Sequence, residues 1–138
     1  MLKTLIVIGS GGALGAVSRH LIRIYIEKHI SVWLSHKHSF FVHFPLSTFF
    51  VNLLGSFVLG IVITNLYSAV SEKNPETIIL YQFLVIGFLS AFTTFSAISM
   101  ETYFTIANQQ YFYATLYLTL SILLGVFGFF LGFHFIRF

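Results

Sequence analysis

Cysteine is absent from the 138-residue chain, which excludes disulfides, thiolate metal sites and cysteine nucleophiles. Charge is scarce as well. Only 8% of the residues are charged, where a soluble domain carries about 25%. No His, Asp and Glu constellation recurs at ligand spacing within the apolar stretches, so an enzyme is the least supported class. The sequence pI near 9.3 rests on seven Lys and Arg, and no hydrophilic basic surface exists on which nucleic acid could lie.

What the chain has instead is apolar length. It is 57% hydrophobic, and a helical span needs roughly 20 mostly apolar residues. Four such stretches fit, at about 2–27, 45–67, 77–105 and 111–135, and almost nothing remains for a soluble domain. The expected fold is an all-α membrane protein, one domain over 1–138 with four transmembrane helices. Lys3 before an apolar run also fits a cleaved signal over 1–18, but cleavage would remove a whole span, so an uncleaved first helix is the better reading. Pro45 suits the first turn of the second span. The segment 28–44, "KHISVWLSHKHSFFVHF", reads as a His-rich aromatic loop, and "SAVSEKNPE" at 68–76 carries Asn-Pro turn chemistry. The short "ANQQ" connection makes spans three and four antiparallel neighbours. There is no internal repeat and no low-complexity tract.

Flanking charge sets orientation. Lys3, Lys73 and Arg137 fall on one side, and Arg23, Lys28 and Lys37 on the other, with Arg19 set apart as intramembrane. The balance is three against three, so the protein can insert either way up unless one loop or Arg19 decides.

Polar and small residues form stripes. Thr48, Asn52 and Ser56 recur every four residues in span two, beside Gly55 and Gly60. Tyr113, Tyr117, Ser121 and Gly125 do so in span four, continued by Gly128 and Gly132, and Gly11, Gly15 and Arg19 in span one. Close helix packing accounts for small residues on such faces. Asn52 asks for more, because a mid-span amide has two donors and an acceptor to satisfy. Arg19, roughly 7 Å past the middle of its span, is a functional candidate by default. Its alternative is snorkelling toward the interface with Arg23 and Lys28. His36 and His38 are spaced for a metal only weakly, and a solvated loop explains them better.

"SAFTTFSAISME" at 90–101 sets hydroxyls among phenylalanines in the middle of span three. Adjacent threonines disfavour helix, so a break is suggested there but not demanded, since 88–105 holds no glycine or proline. Carbonyls freed at a break can coordinate a cation if shielded from lipid. Phenyl ring edges and hydroxyl protons can together hold a small anion without formal positive charge. Such a site binds weakly, which suits permeation, since the ion must also leave.

"GGALGAVSRH" at 11–20, "FPLSTFFVNLLGSFVLG" at 44–60 and "GFLSAFTTFSAISME" at 87–101 together resemble the fluoride ion channel family, CrcB or Fluc, over nearly the whole chain. The resemblance implies passive, fluoride-selective export across the bacterial plasma membrane, lowering cytoplasmic fluoride. It implies an antiparallel, dual-topology dimer with two narrow pores and a third helix broken in mid-membrane. It places Arg19, Thr48, Asn52, Thr94, Phe95, Ser96, Ile98, Tyr117 and Ser121 on the fluoride pathway, with Glu101 as a further motif residue. It also implies a structural sodium ion at the dimer centre, on the backbone carbonyls of Ser90 and Thr93.

Three positions depart from the family pattern. Ser90 and Ala91 stand where Gly-Gly is common, Ile98 stands where the second phenylalanine of the aromatic box belongs, and "PLST" puts Ser47 in place of a glycine. The partner is therefore a second copy or a related subunit in a heterodimer. The rival readings are a small dual-topology multidrug or cation transporter and a non-transporting assembly subunit. The transporter needs a deep carboxylate, and Glu101 is the only candidate.

Overall fold

The computed structural model describes residues 1–32, 44–71 and 74–135, and for Ser31 and residues 67–71 the backbone only. His36, His38, Lys37, Lys73 and Arg137 lie outside the described residues. Among those described, every regular element is helical. Four helices are long and apolar enough to cross a membrane: Leu2–Ile30, Leu46–Leu66, Pro75–Ala107 and Tyr111–His134. Large apolar side chains such as Ile6, Leu21, Phe112 and Val126 point outward, the reverse of a soluble domain and suited to lipid.

The helices pair two by two. The second packs along the fourth, and the first along the early part of the third. Glycines permit both approaches. A Cβ on Gly132 would meet the Phe57 carbonyl, and one on Gly60 the Phe129 carbonyl. In the other pair, a Cβ on Gly15 would meet the Phe88 carbonyl, and one on Gly87 would come within 2.7 Å of the Ile8 carbonyl. Small residues at these positions allow backbone-to-backbone contact, the driving force available in lipid. Gly11, Gly15, Gly128 and Gly132 thus serve packing. Gly125, on the same sequence spacing, meets only the Ser56 hydroxyl at 3.7 Å. Thr64 ties the second pair further, its hydroxyl lying 2.7 Å from the Phe133 carbonyl.

The ends of the third span are set by local chemistry. The Asn-Pro pair opens a helix here: the Asn74 side chain accepts the Glu76 N–H at 3.0 Å and Pro75 takes the first helical position. At the far end Gln109 adopts φ 62°, while the N–H of Gln110 reaches the Thr105 carbonyl and that of Gln109 the Ile106 carbonyl. This six-to-one closure ends the helix and turns the chain into the fourth span.

Within the span the backbone changes character. Pro75–Tyr81 continues through a π-helical stretch, Gln82–Leu89, and a last turn, Ser90–Phe92. Thr93 (φ −80°, ψ 157°) and Thr94 (φ −152°, ψ 112°) are extended, and a new helix runs over Phe95–Ala107. Thr94 caps it, its hydroxyl accepting the Ala97 N–H at 3.2 Å.

Candidate functional site

The extended pair needs partners for its peptide groups, because an unpaired N–H or C=O away from water is costly. Asn52 supplies them from the second span. Its Oδ1 accepts the Thr94 N–H at 2.7 Å, and its Nδ2 donates to the Thr94 carbonyl at 3.2 Å. One amide thus satisfies both halves of Thr94. The second Nδ2 proton stays available. The clamp also diverts donors. A continuous helix would return the Thr94 N–H to the Ser90 carbonyl and the Ala97 N–H to the Thr93 carbonyl. Here both go to side chains, Asn52 and Thr94. The carbonyls of Ser90 and Thr93 lose their helical partners. Gly55 makes room for the break, since a Cβ there would strike Thr93 and Phe92.

Two clefts flank the break, and Thr94 lines both. The first, about 360 Å³, is walled by Arg19, His20, Arg23, Ser96 and Met100. Arg19 forms no ion pair with any described residue. Thr94 Oγ1 and Ser96 Oγ lie 3.1 Å apart. One proton of that pair is spent between them and the other is free. The second cleft, about 310 Å³, is walled by Asn52, Ser56, Phe95, Ile98, Ser121 and Gly125. Phe95 is 72% exposed on the single chain. Ser121 Oγ is buried near the Tyr117 hydroxyl but makes no hydrogen bond of full geometry with any described group.

A third polar group centres on Glu101. Its Oε1 accepts from Thr48 Oγ1 at 2.6 Å and its Oε2 from the Tyr117 hydroxyl at 2.6 Å. Arg23 Nη2 stands 3.4 Å from Glu101 Oε1 and 3.4 Å from Glu27 Oε1. Ser47 Oγ donates to Glu27 Oε1 at 2.8 Å. Thr48 and Tyr117 are fully buried.

The pathway candidates therefore divide. Arg19, Thr94 and Ser96 share one cleft. Asn52, Thr94, Phe95, Ile98 and Ser121 share the other. Thr48, Tyr117 and Glu101 form the third group. Thr93 lies at the break, and Ser90 one turn before it, its hydroxyl 2.9 Å from the Val85 carbonyl. Sequence reasoning assigned Arg23 and Glu27 no role at the site. Their signal was present, since Arg19, Arg23 and Glu27 follow at intervals of four on one helix face.

Residues 6–133 of this four-span chain fit the model for "CrcB-like protein, Camphor Resistance (CrcB)". The chain belongs to the CrcB family. It is a multi-pass membrane protein. A relative from Elusimicrobium minutum, "Fluoride-specific ion channel FluC", is 36% identical over 97% of this chain and 94% of its own length. Proteins of the same name from Chlorobium chlorochromatii and Campylobacter jejuni are 36% and 35% identical. They cover 93% and 96% of this chain and 88% and 97% of their own lengths. In this CrcB-family chain Ile98 is 7% exposed and packs with Phe44 and Tyr117, so its aliphatic side chain belongs to the core as well as to the cleft wall.

Proposed function

We propose that this CrcB-family protein conducts fluoride passively across the cell membrane, lowering its concentration inside. The observation that carries the reading is Thr94, held extended by Asn52 and lining both clefts. The names of the relatives support fluoride as the ion. Fluoride is small, strongly hydrated and a good hydrogen-bond acceptor, so its lost hydration must be offset by donors at each step. Arg19 raises the local anion concentration in the first cleft. The spare proton of the Thr94–Ser96 pair comes next. In the second cleft the remaining Asn52 N–H, the Ser121 hydroxyl and the Phe95 ring edge follow. None of these sites except Arg19 is charged, so the ion is held and released. Chloride is larger and a weaker acceptor, and is rejected.

The working unit is an antiparallel dimer of oppositely inserted copies, or this chain with a related subunit. Balanced flanking charge supports dual insertion, and the exposed Phe95 and open clefts support a second subunit that completes the path. Ile98 and Ser90-Ala91 support the heterodimer. A sodium ion at the dimer centre fits the chain: the carbonyls of Ser90 and Thr93, freed at the break, are hard oxygen donors of the kind such a cation takes. When bound, it would supply fixed positive charge beside the break. Cation exchange is disfavoured, because Glu101 is already engaged by Arg23, Thr48 and Tyr117.

The test is anion efflux from liposomes holding the purified protein. Fluoride should leave without an imposed proton gradient and chloride should be retained. Equal rates for the two ions, or flux that follows an imposed pH difference, would refute the channel reading.

A further inference from the structure

Glu101 poses a difficulty for an anion path. Its side chain is only 15% exposed. Thr48 and Tyr117 each have a single hydroxyl proton, and both are given to this carboxylate. Neither residue has a proton left for a passing anion. A carboxylate beside the path, in a region of low dielectric constant, repels that anion strongly. Among the described residues, the cation in contact with Glu101 is Arg23, and no other charged or titratable side chain but Tyr117 touches it. Arg19 and His20 share a cleft with Arg23 but do not reach Glu101.

Arg23 is itself held in place. The same Nη2 lies 3.4 Å from Glu27, and Glu27 accepts the hydroxyl of the buried Ser47 at 2.8 Å. Ser47 is one of the positions where the chain leaves the family pattern. These contacts use one nitrogen of the guanidinium, and Arg23 also lines the cleft with Arg19, Thr94 and Ser96.

We propose that Arg23 is the positioning residue that neutralises Glu101 and so lets fluoride pass the carboxylate, with Glu27 and Ser47 anchoring the guanidinium. The inference rests on the fluoride reading above. It makes Arg23 a counter-charge acting through Glu101, separate from the direct attraction of anions by Arg19.

The test is fluoride efflux from liposomes for the full-length protein and four variants: Arg23→Gln, Arg23→Lys, Glu101→Gln and the double variant Arg23→Gln/Glu101→Gln. Arg23→Gln should lower flux about tenfold or more, and Arg23→Lys should stay within about threefold of wild type because it keeps the charge. In the Glu101→Gln background, Arg23→Gln should cost at most about twofold, because the carboxylate it neutralises is gone. Equal flux from the Lys and Gln variants overturns the proposal. So does an undiminished loss in the Glu101→Gln background, which would make Arg23 a direct anion contact. If Glu101→Gln conducts too slowly to measure, the Lys and Gln variants at position 23 decide. If Arg23→Gln alone does not assemble, the double variant, which leaves only the half-exposed Glu27 without its ion-pair partner, should assemble and match Glu101→Gln, and a double variant that fails to assemble or conducts well below Glu101→Gln overturns the proposal. Wild-type vesicles that pass no fluoride would instead remove the underlying channel reading.

Discussion

Thr48 and Tyr117 give their hydroxyl protons to Glu101 at 2.6 Å, whereas on the same two helices Ser56 makes no hydrogen bond with any described residue and Ser121, buried near the Tyr117 hydroxyl, makes none of full geometry. The contrast is sharper because a helical hydroxyl in lipid has an easy outlet. Ser99 and Thr105 each return theirs to a carbonyl four residues back. At Glu101 the Thr48 and Tyr117 hydroxyls are satisfied, buried and fixed. Around the cleft those of Ser56 and Ser121 are left short of partners. The first arrangement joins all four spans, and the second leaves donors unspent. Residue type does not separate the two sets; a direct bond to the carboxylate does.

Asn52→Leu should do the greatest damage, since Asn52 belongs to the cleft and also holds the break. It leaves the Thr94 N–H and C=O without partners, at about 1–3 kcal/mol for each buried group. Fluoride flux should fall about a hundredfold or more, and thermal unfolding in detergent should move down with it. A variant that assembles normally and still conducts would detach the clamp from the mechanism. Phe95→Leu comes next. The ring is exposed on the chain, so unfolding should shift by less than about 0.5 kcal/mol while flux drops roughly tenfold through loss of the ring edge. Wild-type flux from this variant would leave the hydroxyls to carry the ion alone.

The two smaller effects test the contrast itself. Thr48→Val removes a committed hydroxyl from a fully buried position and should cost about 1–3 kcal/mol of stability in denaturant titrations. Ser121→Ala removes an uncommitted one. Its stability should stay within about 0.5 kcal/mol of wild type, while fluoride flux falls a few-fold. If Ser121→Ala destabilises as much as Thr48→Val, the division between satisfied and available hydroxyls collapses.

The four spans were readable because an apolar run near 20 residues has few other uses. Asn52 stood out for a similar reason, a mid-span amide that needs partners. Its partner did not, because Thr94 lies 42 positions along the chain. Arg23 looked like a flanking charge that sets orientation, and Glu27 like the carboxylate that ends the first span. Their link to Glu101, 78 positions from Arg23, exists only once the first and third spans are packed together. The glycine stripes were half legible. Spacing put Gly125 with Gly128 and Gly132, but small rotations decide which glycine meets a backbone and which opens onto a hydroxyl. Asn-Pro at 74–75 shows the same limit, since those residues can turn a chain or start a helix.

The central claim is that fluoride passes Thr94 from one cleft to the other. The absence of cysteine makes it directly testable, because one introduced thiol is the only thiol. Ser96→Cys places it in the Arg19 cleft and Ser56→Cys in the Asn52 cleft. Each variant is reconstituted, treated with a sulfonate-bearing thiol reagent, checked by mass for modification and assayed for fluoride efflux. Modification should cut efflux by about tenfold or more at both positions, by blocking a narrow path with bulk and like charge, and leave the cysteine-free wild type unchanged. Fully modified protein that conducts at the unmodified rate at either position would contradict the account.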